Sequence, residues 1–300
     1  MKKQFLFLIL VLVGFAKISS AQNWLDPLDT PSDSKTFTSA TFKSTRLINV
    51  HTIETLGKRT LDFRISHRFA NINSGTYGAW GIDGPVNIRL DLEYSYDGRL
   101  MVGIGRTSGG FSSDGSMKKL LDGFLKYRLL RQTDDNKMPL SVTLFTGGYY
   151  TAEKATLDDG SDKYEFLSSR LSFAHQVLIG KKFSSKFSME VNGWFVHYNL
   201  VDKFTDKNDV YGVSGLARYK FSKRSAVTFE YSYRINEYTA EKFYDSMGIG
   251  YELETGGHVF SVNLTNSFGL AETQFLPRTA TKWDDAGIRL GFNVSRVFRL

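Results

Sequence analysis

Two alternating runs joined by a two-residue turn occupy residues 86–106. In the first run, an apolar or aromatic parity alternates with a polar one: Val86, Ile88, Leu90, Leu92, Tyr94 and Tyr96 against Asn87, Arg89, Asp91, Glu93 and Ser95. Asp97-Gly98 follows, a pair typical of tight hairpin turns, and the return run repeats the alternation. A period of two residues predicts β-strands, because successive side chains point to opposite faces of a sheet. Long strands with one apolar and one charged face indicate lipid on one side and water on the other.

The same unit recurs from Arg59 to the C-terminus, which predicts about twelve strands. Long links (71–85, 107–120, 151–165, 200–209, 236–243 and 268–285) alternate with short turns. A soluble sandwich has no reason to place its short turns at one end, whereas an outer-membrane barrel does. We therefore predict an all-β fold, a single antiparallel transmembrane β-barrel of about 12 strands with short periplasmic turns and long outer loops.

Aromatic residues near the predicted strand ends favour the same interpretation, since amphipathic rings collect at membrane–water interfaces. Those expected near the periplasmic ends are Tyr96, Phe183, Tyr219 and Phe221, and those near the outer ends are Tyr149, Tyr150, Tyr198, Tyr211, Phe243 and Tyr244. The last predicted strand ends with Phe298 and Leu300, similar to the closing strand of outer-membrane barrels.

The N-terminus predicts export. Lys2 and Lys3 precede an apolar run, and Ser19-Ser20-Ala21 resembles a cleavage site, so residues 1–21 are predicted to be a signal peptide. Residues 22–58 show no sustained period and form either a periplasmic lead-in or a segment inside the lumen; residues 59–300 form the barrel. The predicted location is the outer membrane.

Composition excludes several functions. The chain has no cysteine, which removes a disulfide framework, a thiol nucleophile and thiolate metal sites. Loss of the three lysines of the predicted signal peptide lowers the formal charge from +7 to +4, so nucleic acid is not an expected partner. No cofactor is indicated.

Three segments resemble a family of bacterial membrane-bound β-barrel domains of unknown function. They are Thr41 to Asn49 (TFKSTRLIN), Leu61 to Phe69 (LDFRISHRF) and Asp122 to Tyr127 (DGFLKY). The resemblance runs from about Thr41 to the end and implies an outer-membrane barrel, without functional residues to carry over.

Charged side chains gather on the parity predicted to face the lumen, and basic ones outnumber acidic ones. The candidate residues are Arg64, Arg68, Arg89, Asp91, Glu93, Lys126, Arg128, Glu190, Arg218, Glu230, Arg234, Glu252 and Arg289. Basic rings would favour anions. Alternatively, mixed charges form an ion-paired network that blocks the lumen, because about twelve strands lie between filled eight-stranded barrels and open porins.

The histidines give little support for chemistry. His67, His175 and His197 share the predicted lipid-facing parity; if the turn centres near Phe183, His175 lies opposite Val191. Its position near the middle of a strand would then indicate a wrong register or a β-bulge. No Ser–His pair with an orienting group is marked, so neither catalytic nor metal-binding residues are predicted. Gly103 and Gly105 are expected to let the barrel wall bend.

We expect a passive or gated conduit for small polar solutes, leaning towards anions. The alternative is a non-conducting structural or interaction barrel with an ion-paired lumen, and an outer-membrane lipid-modifying enzyme is a distant third. Expected partners are outer-membrane lipid and lipopolysaccharide, and the barrel-assembly machinery through the C-terminal strand. The oligomeric state is left open.

Overall fold

The computed structural model describes residues 36–108, 119–152, 160, 162–201, 203–237, 239 and 242–300. The predicted signal peptide (1–21) and the first part of the 22–58 segment lie outside these residues. Much of two predicted long links, 107–120 and 151–165, also lies outside them.

Twelve antiparallel strands close into one barrel, each paired with its neighbours in sequence and the first with the last. The strands are β1 (Thr60–Asn71), β2 (Asn87–Ser95), β3 (Leu100–Ser108), β4 (Leu120–Leu130), β5 (Ser141–Thr151), β6 (Leu171–Lys182), β7 (Phe187–Tyr198), β8 (Asp209–Lys220), β9 (Ser225–Arg234), β10 (Ser246–Thr255), β11 (His258–Thr265) and β12 (Arg289–Arg299). Pairing of Thr60 with Arg299 completes the ring. The predicted fold class and strand number are confirmed.

The period of two residues is visible in the burial of every strand. In β3, for example, exposed Leu100, Val102 and Ile104 alternate with buried residues. The outer surface is therefore a mainly apolar band, and most polar side chains of the strands point inward. Closure leaves no sheet edge, so all strand backbone groups can pair within the wall.

The connections differ between the two ends of the barrel. Segments 96–99, 131–140, 183–186, 221–224 and 256–257 lie at one end, which we call the short-turn end, together with the start of β1 and the end of β12. Gly98 adopts a φ of 85°, as a tight turn requires. The opposite long-loop end carries 72–86, which contains a 3-10 stretch (Ile72–Gly81), and 266–288, which contains a short helix α1 (Glu272–Phe275).

The register between β6 and β7 differs from the predicted one. His175 pairs with Phe195, and Ile179 pairs with Val191. β6 continues to Lys182 and β7 begins at Phe187, so the turn occupies 183–186. Its centre lies beyond the predicted centre near Phe183. The orientation of His175 was predicted correctly: its ring is exposed on the outer surface, 2.9 Å from the hydroxyl of Thr146.

The barrel encloses a core of buried residues, to which the N-terminal segment and the 266–288 loop both contribute. Phe42, Leu47 and Val50 come from the first, and Phe275 and Leu276 from the second. Among the described residues, no helix has the length and apolar character needed to cross a bilayer.

Charge introduced into the outer apolar band should destabilise the barrel according to depth. Ile104 lies at the middle of β3 and is 63% exposed. Ile104→Arg should lower the free energy of unfolding in lipid bilayers by about 2–4 kcal/mol. Tyr96→Arg, beyond the end of β2, should cost no more than about 1 kcal/mol. Denaturant unfolding of the folded protein in liposomes measures both values, and equal costs would contradict the proposed outer surface.

Candidate functional site in the barrel lumen

Residues 41–56 form a hairpin inside the barrel, here called the lumen hairpin. The backbone N–H of Leu47 donates to the carbonyl of Val50 at 2.9 Å, and that of Thr52 donates to the carbonyl of Thr45 at 2.9 Å. The hairpin leads directly into β1 at the short-turn end, so its tip, at Ile48 and Asn49, points into the lumen. All its residues except Lys43 and Glu54 are buried.

The wall carboxylate of Glu230 holds the tip of the lumen hairpin. It accepts hydrogen bonds from the backbone N–H groups of Ile48, Asn49 and Val50 at 3.0–3.2 Å, and from the Asn49 amide at 2.9 Å. A second carboxylate, Glu190, accepts the N–H of Ile53 at 2.7 Å. Because both partners are removed from water, each carboxyl group satisfies donors that would otherwise be left unpaired.

Wall cations hold the hairpin carbonyls in the same way. Arg68 donates to the carbonyl of Ile48 at 3.0 Å, and Lys126 donates to the carbonyls of Thr45 and Glu54 at 3.1 and 2.7 Å. Arg64 and Arg128 make the further contacts, to the carbonyls of Arg46 and Thr55. The wall therefore recognises main-chain groups of the hairpin as well as its side chains.

A second segment, residues 266–281 with α1, folds into the lumen from the long-loop end; we call it the inner loop. Its Glu272 is fully buried and accepts hydrogen bonds from Arg46 of the lumen hairpin and from the Tyr149 hydroxyl of the wall. The ring of His51 lies 3.4 Å from the same carboxylate. Glu272 is thus the point at which the two closing segments meet.

Two further wall arginines pair with carboxylates of the wall. Arg89 binds both carboxylate oxygens of Asp122 at 2.6 and 2.7 Å and also lies 2.6 Å from Asp91. Arg218 binds Glu252 at 2.7 Å and Glu254 at 2.8 Å. These bonds join nearby strands, and each guanidinium faces two carboxylates in the interior of the barrel.

The structure places all of the candidate charged residues on the inner side of the wall. Eleven are buried: Arg64, Arg68, Arg89, Asp91, Glu93, Lys126, Arg128, Glu190, Arg218, Glu230 and Glu252. Arg234 and Arg289 are half-buried near the long-loop end, where Arg234 donates to the carbonyl of Pro277 and Arg289 lies over the Phe268 ring.

Several inward-facing residues were missed or misplaced in the sequence analysis. Tyr149 and Tyr198 do not belong to an outer aromatic belt; both are buried in the lumen and donate to the inner loop. Phe124 and Phe145 also point inward and contact the ring of His51, with centroids 5.0 and 4.3 Å away. In the sequence, all four residues alternate in step with the charged or hydroxyl residues of their own strands. This shared parity is the signal that could have identified them as inward-facing.

Inward-facing glycines make room for these groups. A Cβ at Gly248 would lie 3.0 Å from Ile48 of the hairpin, and one at Gly103 would lie 2.3 Å from the Phe124 ring. A Cβ at Gly105 would meet the Arg89 guanidinium at 2.2 Å. We expected Gly103 and Gly105 to let the barrel wall bend. The structure shows instead that they leave space for side chains that pack closely in the lumen.

Neither a serine–histidine pair nor a metal site is found in the described part of the chain. The two hydrogen-bonded histidines are His175 with Thr146 and His197 with Asp209, at 2.9 and 2.6 Å. No serine hydroxyl is bonded to a histidine among these contacts. The described residues also contain no cluster of three or more potential metal ligands.

An apolar outer band, a closed ring of antiparallel strands and a polar interior define an integral membrane β-barrel. Residues 42–298 match the family described as "Membrane bound beta barrel domain (DUF5777)", and the chain belongs to this family. The match begins at Phe42, so the family domain includes both the lumen hairpin and the barrel. The protein is located in the outer membrane. Because short turns of outer-membrane barrels face the periplasm, we assign the short-turn end to that side.

Solved structures with a similar fold include porins, a channel and an enzyme. The KdgM porin in complex with disordered oligogalacturonate is 9% identical with a TM-score of 0.49, covering 80% of this chain and 99% of that chain. An outer membrane channel from Pseudomonas putida F1 is 16% identical with a TM-score of 0.43, covering 82% and 98%. Outer membrane phospholipase A from Escherichia coli is 11% identical with a TM-score of 0.43, covering 85% and 95%. A comparison with curated protein sequences finds no match.

Packing at Gly248 should control whether the lumen hairpin stays in place. Gly248→Leu overfills the contact with Ile48, a change that typically costs about 1–3 kcal/mol, and should expel the hairpin tip more often. Val50→Cys, at a fully buried position in a chain without other cysteines, reports this through maleimide labelling. We expect labelling to rise about fivefold or more.

Gly215→Leu is the matched control for this experiment. Gly215 lies on the outer side of β8, where an added Cβ meets no atom within 4 Å. Its substitution should leave the labelling rate unchanged. Equal acceleration by both leucines would show that general loosening of the barrel, and not hairpin displacement, exposes Val50.

Arg46 and Glu272 should be energetically coupled. Removing either partner leaves a buried charge without compensation, which costs roughly 3–5 kcal/mol. We expect Arg46→Met and Glu272→Gln each to lower the free energy of unfolding strongly, and the double variant to lose clearly less than the sum. Denaturant unfolding in liposomes measures the three values, and simple additivity would contradict the coupling.

Proposed function

We propose that this outer-membrane barrel is a gated conduit for small polar solutes whose resting state is closed by the lumen hairpin and the inner loop. The observation that carries the proposal is the polar attachment of the hairpin. Its contacts with Glu230, Arg68 and Lys126 are hydrogen bonds that water can replace when the hairpin leaves. An interior sealed by apolar packing alone would offer no such exchange.

The charges that the hairpin covers support a preference for anions in the open state. Four wall cations donate to hairpin carbonyls, namely Arg64, Arg68, Lys126 and Arg128. Fewer wall carboxylates accept from the hairpin, namely Glu93, Glu190 and Glu230. The other wall clusters place two carboxylates on each arginine, so the proposed anion preference rests on the cations that lose their carbonyl partners when the hairpin leaves.

A non-conducting structural or interaction barrel is the second candidate. The number of bonds between hairpin and wall favours it, because Asn192, Thr143 and Asn293 add further bonds to hairpin carbonyls. In this case the hairpin would permanently fill the lumen, which in a wider barrel contains water. We propose no enzymatic role, since the described histidine contacts bring no serine to a base.

Conductance of hairpin-displaced barrels separates the two candidates. The unaltered protein in planar bilayers should be closed for most of the time. Gly248→Leu should give frequent single-channel openings, with a reversal potential in a KCl gradient that indicates chloride preference, because the uncovered cations attract anions. Gly215→Leu should behave as the unaltered protein.

Two results would oppose the conduit. Faster labelling of Val50→Cys in the Gly248→Leu background without any conductance would favour the non-conducting barrel. Potassium preference in the open state would retain the conduit and contradict its anion preference.

A further inference from the structure

A cavity of about 650 Å³ opens at the short-turn end, where the lumen hairpin leads into β1. Its walls are the segment from Glu54 to Lys58, the turn from Asp97 to Arg99, the end of β4 from Arg128 to Arg131, and Phe37. We call it the rim pocket. It joins the lumen hairpin, a periplasmic turn and the barrel wall at one point.

A β-bulge gives the rim pocket both a charged wall and an apolar wall. The register between β4 and β5 shifts between Arg128 and Leu130. Arg128 therefore remains inside, 8% exposed, while Leu129 and Leu130 are both more than 40% exposed on the outer surface. A bulge commonly redirects side chains at a barrel rim, and here it places two consecutive leucines beside a cavity lined by cations.

Positive charge dominates the rim pocket. Its cations are Lys58, Arg99, Arg128 and Arg131, against the carboxylates of Glu54 and Asp97. Both carboxylates are already engaged. Glu54 accepts the N–H of Phe42 at 3.2 Å and lies 3.6 Å from Arg128.

Asp97 accepts the backbone N–H groups of Leu100 and Arg99 at 2.7 and 2.8 Å, and these bonds lower the pKa of its carboxyl group. The side chains of Lys58 and Arg99 make no hydrogen bond or ion pair with any residue that the structure describes. Two cations are therefore available to an incoming anion.

The depth of the rim pocket matches the headgroup region of the periplasmic leaflet. Tyr96, beside the turn, is 63% exposed, and Tyr127, two residues before Leu129, is also exposed. Amphipathic rings of this kind mark the membrane–water interface. The cations thus lie where lipid phosphates lie, and Leu129 and Leu130 lie where acyl chains begin.

We propose that the rim pocket is a binding site for the phosphate group of an anionic phospholipid in the periplasmic leaflet. Lys58 and Arg99 bind the phosphate oxygens, Arg131 adds positive charge, and the acyl chain follows Leu129 and Leu130. Basic pockets at this level bind anionic headgroups through charge-assisted hydrogen bonds. This site does not depend on whether the barrel conducts.

Lipid titration of the full chain tests the proposal. The purified protein in phosphatidylcholine nanodiscs is titrated with phosphatidylglycerol, and bound lipid is counted by native mass spectrometry. Lys58→Gln with Arg99→Gln should weaken phosphatidylglycerol binding about tenfold or more. Lys223→Gln with Arg224→Gln, an equal loss of exposed charge in the β8–β9 turn, is the matched control and should change the affinity less than about twofold.

Competition with inorganic phosphate distinguishes the source of the anion. If phosphate alone does not displace the lipid at millimolar concentration, the acyl contacts with Leu129 and Leu130 are part of the site, as proposed. If phosphate displaces the lipid, and loses this ability in the Lys58/Arg99 variant, the pocket binds free phosphate. That result would support an anion site at Lys58 and Arg99 and reject the phospholipid as its ligand. Equal weakening in both double variants would overturn the site, because it would show only general attraction to a charged surface.

Discussion

The structure depends on one set of hydrogen bonds, in which charged side chains of the barrel wall bind main-chain groups of the lumen hairpin. Glu230 accepts three consecutive backbone N–H groups, and Arg68 donates to a carbonyl of the same turn. Without the hairpin these charges need water, and without the charges the hairpin backbone has no partners. Each would be costly to bury alone, since an unpaired buried charge or peptide group costs several kcal/mol. Together they bury the hairpin backbone and the wall charges with partners for each other.

The fold could be read from the sequence because a membrane barrel repeats one local rule in every strand. Alternation such as that of Leu90, Leu92 and Tyr94 fixes which face meets lipid, independently of distant contacts. Turn centres are less constrained, because several positions between Lys182 and Phe187 could begin the return strand. The β6–β7 register was therefore misplaced, although the orientation of His175 was not, since a shift by an even number of residues preserves the face.

The contents of the lumen could not be read in the same way. The inward-facing residues of the wall are polar whether the lumen is open or blocked. Arg64 and Glu190 are therefore compatible with either state. The lumen hairpin has no sustained period, because its residues contact the wall on all sides, and Leu47, Val50 and Ile53 resemble an ordinary lead-in. Only inward aromatic residues distinguish the two cases in the sequence. Phe124 and Tyr149, on the parity of Lys126 and Thr143, need an apolar or hydrogen-bonding partner that water does not supply.

The way the two closures meet bears on how the barrel could open. Arg46 reaches from the hairpin to Glu272 of the inner loop, so the segments entering from opposite ends share one buried ion pair. A buried pair contributes little net stability compared with apolar packing, but it tolerates few alternative geometries. The Arg46–Glu272 pair therefore fixes the relative position of the lumen hairpin and the inner loop more than it stabilises them. The hairpin is also held by apolar packing of Leu47, Val50 and Ile53, and by its bonds to the wall, which are individually replaceable by water. A hairpin held in this manner leaves behind a solvated, charged wall when it moves, whereas an apolar plug would leave a surface that favours immediate collapse.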